Sequence, residues 1–162
     1  SSTNIGIDGD TCTKISINGR DINCNNHCFE FTNSDFIKIN VDNIKSTITQ
    51  PAEFTDCDEI SMKGNKIESL AGYCIFTTRV NTVKADFNHF SSLGGAGDDC
   101  WRAVDTIGGR VTGAKFSTQR HAVFSSGTSN KFICTSNDVT DAASGTKFNL
   151  SGADNVDANN LS

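Results

Sequence analysis

The chain has one Pro, one Trp, one Tyr, one Met and three His in 162 residues. No apolar run approaches the ~20 residues that a membrane-spanning helix needs, so no membrane span is expected. Charge is sparse: 20% of residues are charged, and 19 acidic side chains against 14 basic ones leave a net −5. No basic block occurs, so the chain is not expected to grip nucleic acid. Gly-x-Ser-x-Gly, the local signal of a serine hydrolase, is absent. No C-x2-C pair occurs either. The one close pair, Cys24 and Cys28 around His27, does not complete a four-ligand centre. Asp8-Gly9-Asp10 lacks the spaced oxygens and closing Glu of a calcium loop. Neither a metal nor another cofactor is expected. With one Trp and one Tyr, few rings are on hand to stack on sugars.

What is present points to a folded, β-rich chain. Eleven Phe, with many Ile and Val, argue against disorder. Ile15 and Ile17 alternate with polar residues, as do Ile37, Ile39 and Val41, which is the period of a half-buried strand. Further β-favouring runs cover residues 73–83, 111–116, 121–124, 131–135 and 147–150. One stretch reads as a helix: Asp98 or Asp99 would cap it, Trp101, Val104 and Ile107 would form its apolar stripe, and Gly108 or Gly109 would end it. The expected fold is mostly β or α+β: disulfide-stabilised small β-sheet domain(s) with one short helix near 99–107. No internal repeat stands out. The Gly-rich segment 91–97 is either a surface loop of a single unit spanning 1–162 or a hinge. In the second case a cysteine-rich lobe (1–90) is joined to a β-rich lobe (98–162).

Seven cysteines, Cys12, Cys24, Cys28, Cys57, Cys74, Cys100 and Cys134, are scattered along the sequence. That pattern reads as a disulfide framework with six paired and one free. Each bridge closing a long loop would contribute about 3–4 kcal/mol by restricting the unfolded chain. The polar opening, SSTNIGIDGD, fits a mature form that has lost a secretory leader. Asn149 and Asn160 each begin an Asn-Leu-Ser sequon and are glycosylation candidates.

No catalytic residue is assigned. A nuclease site would need two His, a carboxylate and an Arg on one phosphate. His89, His121, Glu68 and Arg110 or Arg120 are the available set, but no local motif joins them. Pairs such as Phe29 with Phe31, or Phe87 with Phe90, are either core or a patch for a partner.

Richness in Ser, Thr, Asn, Gly and Asp, with cysteines at 12, 24, 28, 57, 74, 100 and 134, resembles the small secreted cysteine-rich effectors of plant-pathogenic fungi. Among them the chain is most similar to the dual-domain, secreted-in-xylem effectors of Fusarium. The resemblance implies processing from a pro-form, several disulfides and two small lobes, the second β-rich. It also implies activity in a host plant, where such proteins promote virulence and are detected by resistance receptors. The disulfide framework and the lack of a catalytic constellation add the expectation of a monomeric, non-enzymatic secreted protein, in the host apoplast or xylem or inside host cells that take it up, with a host protein or receptor as partner. A necrosis-inducing or killer toxin, a secreted nuclease-like hydrolase and a carbohydrate-binding module are the other function classes.

Overall fold

Alternating burial organises the chain. Phe29 and Phe31 are buried while Glu30 and Thr32 point outward. Ala52 and Phe54 repeat this, as do Ile75 and Thr77, then Trp101 and Ala103. In the computed structural model, which describes residues 6–95, 97–142 and 147–161, these runs are strands of a parallel β-solenoid. The first four coils hold β1 (Ile7–Asp10), β2 (Lys14–Cys24), β3 (Phe29–Thr32), β4 (Phe36–Ser46), β5 (Ala52–Thr55), β6 (Glu59–Ser69), β7 (Ile75–Thr78) and β8 (Thr82–Ser92). The fifth holds β9 (Trp101–Val104), β10 (Gly109–Thr112) and β11 (Lys115–Thr118), and the sixth β12 (Val123–Ser126), β13 (Ile133–Thr135) and β14 (Asp138–Ala142). The last described coil holds β15 (Phe148–Asn149) and β16 (Val156–Ala158).

One sheet runs β1-β3-β5-β7-β9-β12-β15 and the other β16-β13-β10-β8-β6-β4-β2, with β11 beside β8 and β14. Every pairing between these strands is parallel. Ile7, Phe29, Ala52, Ile75, Trp101, Val123 and Phe148 fall in one column, so successive coils are 22 to 26 residues apart. Like side chains stack inside. Phe31 lies on Phe54 with ring centroids 6.2 Å apart, and Phe90 on Phe116 at 4.7 Å. Phe29, Phe31, Phe87 and Phe90 are all core residues, so neither Phe pair forms a partner patch.

Two corners shape each coil. At the first, Thr11, Asn33, Asp56, Arg79 and Asp105 each adopt φ between 50° and 56°, the left-handed conformation that Asn and Asp tolerate best. Their backbones stack: the Asn33 N–H donates to Thr55 O (3.0 Å) and the Asp56 N–H to Thr78 O (3.0 Å). At the second, the long strands bend and the alternation slips, leaving Asp42 and Asn43 side by side on the outside of β4. A side-chain ladder runs along this corner, from Asn88 to Asn65 (3.2 Å), Asn65 to Asn43 (3.2 Å) and Asn43 to Asp21 (2.7 Å).

The expected helix near 99–107 is absent: Trp101–Val104 is β9, paired with β7 and β12. The Trp101, Val104, Ile107 stripe is accidental. Trp101 is buried, Val104 points half outward and Ile107 is 42% exposed beyond the corner. Asp99 caps nothing and is instead wholly buried in an ion pair with Arg120.

The disulfide framework is also overturned. Cys12, Cys24, Cys28, Cys57, Cys74, Cys100 and Cys134 are all free thiols. Cys28, Cys74 and Cys100 share one coil position, where Pro51 and Ala122 stand in other coils. There they act as small apolar fillers whose S–H groups reach corner carbonyls: Cys28 to Lys45 O (3.1 Å), Cys74 to Ile67 O (3.5 Å) and Cys100 to Ser117 O (3.5 Å). Burial pushes the thiols of Cys28, Cys57, Cys74 and Cys134 up in pKa, so they stay protonated and unreactive. The stability assigned to sulfur cross-links therefore comes from the stacked Phe, Ile, Val and Trp core.

Pairing continues across segment 91–97, through β7 with β9 and β8 with β11. Ala96 of that segment and Ser162 of the second sequon lie outside the described residues.

Candidate functional site: a cationic groove on the second sheet

Between its two corners the second sheet presents columns of outward side chains. One column is Ser16, Lys38, Ser61, Lys84, Arg110. Its neighbour is Asn18, Asn40, Lys63, Asp86. The period-two pattern puts them there: Ile37, Ile39, Ile60, Met62, Val83 and Ala85 face the core, so every intervening residue must face solvent.

These columns line three adjoining hollows of about 730, 630 and 210 Å³. The first and second share Lys38 and Ser61, and the second and third share Lys84 and Asp86. Together they form an open groove that crosses five coils, from Lys14 to Arg110. Its walls carry five cations (Lys14, Lys38, Lys63, Lys84, Arg110) and three carboxylates (Asp42, Glu59, Asp86). The groove is thus locally positive on an acidic chain. Of these five cations only Lys84 has a carboxylate of the described residues within ion-pair reach, Asp86 at 3.8 Å. Phe36, 52% exposed, supplies an apolar end.

No family model, curated protein or solved structure matches this chain.

The three histidines do not converge. His27 bridges two coils, with Nδ1 2.9 Å from Glu30 and Nε2 3.3 Å from Glu53. His89 lies past the Asn corner, its Nε2 3.1 Å from Ser117 Oγ. His121 sits on the first sheet's side, its Nδ1 2.8 Å from Asp99. Of the residues considered for a nuclease, Arg110 lies in the groove, Arg120 beside Asp99, and Glu68 against Lys45 (2.8 Å) and Lys66. No group of three His, Cys, Asp or Glu able to hold a metal occurs among the described residues, and no helix there is long and apolar enough to cross a membrane. Asn149 is exposed at the end of β15, whereas Asn160 is half-buried and donates to Cys134 O at 2.9 Å.

Sequence reasoning missed Lys38, Lys63 and Lys84 as a set because each stands alone along the chain. The coil period was the available signal: Lys38, Ser61 and Lys84 are successive steps of 23 residues.

The cluster past the Asn corner contributes to the response to acid. Burial pushes the His89 pKa below 6.5, and the Lys66 and Lys115 ammoniums push the same way. The unfolded chain then binds a proton at His89 more readily than the folded one. This contribution is complete above pH 6.5 and is lost as pH falls through the folded value. Burial would raise Glu68, but Lys45 and Lys66 outweigh it and hold its pKa below 4.5, so a second loss follows below that pH. A melting-temperature profile against pH should fall in these two stages on acidification, and His89→Gln should remove the first.

Proposed function

We propose that this protein is a non-catalytic binding module that lays an extended acidic glycan along the groove of its second sheet. The observation that carries this reading is the Lys38, Lys84, Arg110 column. Lys38 and Lys84 stand two coils apart and Arg110 one further. Coils repeat at the interstrand distance of about 4.8 Å, a step comparable to one sugar residue, so a chain lying along the solenoid axis meets these cations at whole multiples of that step, two and then one. The amides of Asn18 and Asn40, linked at 2.9 Å, edge the neighbouring column and suit hydroxyl groups. Exposed, solvated cations favour a polymer with one carboxylate per ring over a densely charged nucleic acid, which the net −5 of the chain repels.

Binding rather than catalysis is supported by the setting of the carboxylates. A general acid for glycoside cleavage needs a carboxyl sheltered from water, and Asp42, Glu59 and Asp86 are all exposed. The extracellular, host-directed role anticipated above remains part of the proposal, since acidic wall and matrix glycans are extracellular.

Calorimetric titration with polygalacturonate and with its methyl-esterified form tests the reading. Wild-type protein should bind the acidic polymer, and binding should weaken with salt. At about 0.5–1 kcal/mol per exposed ion pair, Lys38→Ala/Lys84→Ala/Arg110→Ala should bind 10- to 100-fold more weakly. Equal binding by wild type and triple variant, or preference for the esterified polymer, would refute it.

A further inference from the structure

The outer face of the first sheet holds a different constellation, remote from the groove and independent of the glycan reading. Phe76, Arg102 and Phe124 stand in register on β7, β9 and β12. Tyr73, just before β7, stacks on Phe76 with centroids 5.8 Å apart. The Arg102 guanidinium lies between two rings, its Cζ 5.3 Å from the centroid of Tyr73 and 5.3 Å from that of Phe124. Its Nη1 donates to the Tyr73 hydroxyl at 2.9 Å. Arg102 is half-buried, and no carboxylate of the described residues pairs with it.

Arg120 is the second cation here, its Cζ 5.0 Å from the Phe124 centroid, but its charge is already matched. Its Nε donates to Asp99 Oδ1 at 2.8 Å and its Nη2 to Oδ2 at 2.7 Å, and Asp99 is wholly buried. Of the two guanidiniums, Arg102 is the one left without a paired carboxylate; Asp98, close to Arg120, and Glu53, in register with Phe76, are the other carboxylates around the site. A planar fork held between rings, with one nitrogen tied to Tyr73, keeps other N–H groups for a bidentate partner. Such a fork is suited to a carboxylate, and the Tyr73–Phe76 strip beside it is suited to the face of a ring.

We infer that Arg102, with Tyr73, Phe76 and Phe124, forms a binding site for a monocarboxylate borne on a six-membered ring. The carboxylate lies on the Arg102 fork and the ring lies against the aromatic strip. One unpaired guanidinium matches a monoanion, and the surrounding carboxylates repel a phosphate dianion more strongly. Aryl acids and sugar acids share this chemistry, and the experiment separates them.

The test is an NMR titration that follows the Arg102 Nε–H signal and the ring protons of Phe76 and Phe124. Benzoate, glucuronate, glucose and glucose 6-phosphate are the probes. At least one of the two monocarboxylates should shift these signals saturably, while glucose should not; the tighter of the two acids identifies the source. Arg102→Lys keeps the charge and removes the fork, and should weaken binding at least 10-fold. Tyr73→Phe, which leaves the core untouched, releases the fork and should weaken it about 3-fold. The inference is overturned if neither acid gives a saturable shift, if glucose or glucose 6-phosphate binds as tightly, or if both variants bind like wild type. Because these residues lie outside the groove, loss of polygalacturonate binding in the groove variant leaves this result unaffected.

Discussion

Phe54→Ala is expected to destabilise the protein by about 3–5 kcal/mol, the range for deleting a buried ring that leaves a cavity. Phe54 is wholly buried in the third coil, where it continues the column that holds Phe31 before it and Thr77 after it. Its ring is stacked on Phe31 at 6.2 Å, with planes 10° apart. A solenoid has coils above and below every core residue, so the neighbours cannot collapse sideways into the gap. Against a typical total of about 5–15 kcal/mol this is a large fraction. Urea unfolding should show a lower midpoint with little change in slope. Phe36→Ala is the matched control: Phe36 is 52% exposed at the start of β4, and its loss should change stability by no more than about 0.5 kcal/mol. Equal costs at the two positions would mean that Phe31–Phe54 stacking does not build the core.

Gly64→Ala should be the other damaging change, at about 3 kcal/mol, the upper end for overpacking. Gly64 lies in β6 where the second sheet bends. A methyl group there would stand 2.0 Å from Val41 O and 2.8 Å from a Phe87 ring carbon. The first contact is backbone, so β4 itself would have to move. Because Gly64 also lines the groove between Lys63 and Asn65, the variant should lose polygalacturonate affinity as well. Gly95→Ala makes the comparison clean, since a methyl at Gly95 meets nothing within 4 Å. Gly95→Ala should leave both stability and binding unchanged. If Gly64→Ala proved equally silent, the close approach of β6 to β4 would be wrong.

Strand identity was readable where alternation is strict. Ile37, Ile39 and Val41 face the core as their spacing demands, and so do Ile60 and Met62. The order of strands was not, because nothing local distinguishes a strand pairing with its neighbour from one pairing a full coil away. The coil period was in the letters all the same. Phe31-Thr32-Asn33-Ser34-Asp35-Phe36-Ile37 is followed 23 residues later by Phe54-Thr55-Asp56-Cys57-Asp58-Glu59-Ile60, and after a further 23 by Thr77-Thr78-Arg79-Val80-Asn81-Thr82-Val83. The third copy varies enough to hide the pattern. The helix reading failed at Trp101 because three apolar residues at spacings of three mimic a helical stripe when two lie in a strand and the third past its corner. The cysteine reading failed for a different reason. Count and scatter suit a disulfide framework, but the inward position shared by Cys28, Cys74 and Cys100 suits any small apolar group, as Pro51 and Ala122 show. The groove was illegible before the period was known, since its cations become neighbours only when coils stack.

Segments one coil apart pair in parallel throughout the described residues. Nuclear Overhauser contacts between backbone protons test this pairing directly. Cross-strand contacts between Hα and amide protons should join residues near Ile39 to those near Met62, and residues near Met62 to those near Ala85, at the registers Ile39–Met62 and Met62–Ala85. Close Hα–Hα contacts between consecutive segments, such as residues 29–32 with 36–41, would instead reveal antiparallel hairpins and contradict the solenoid.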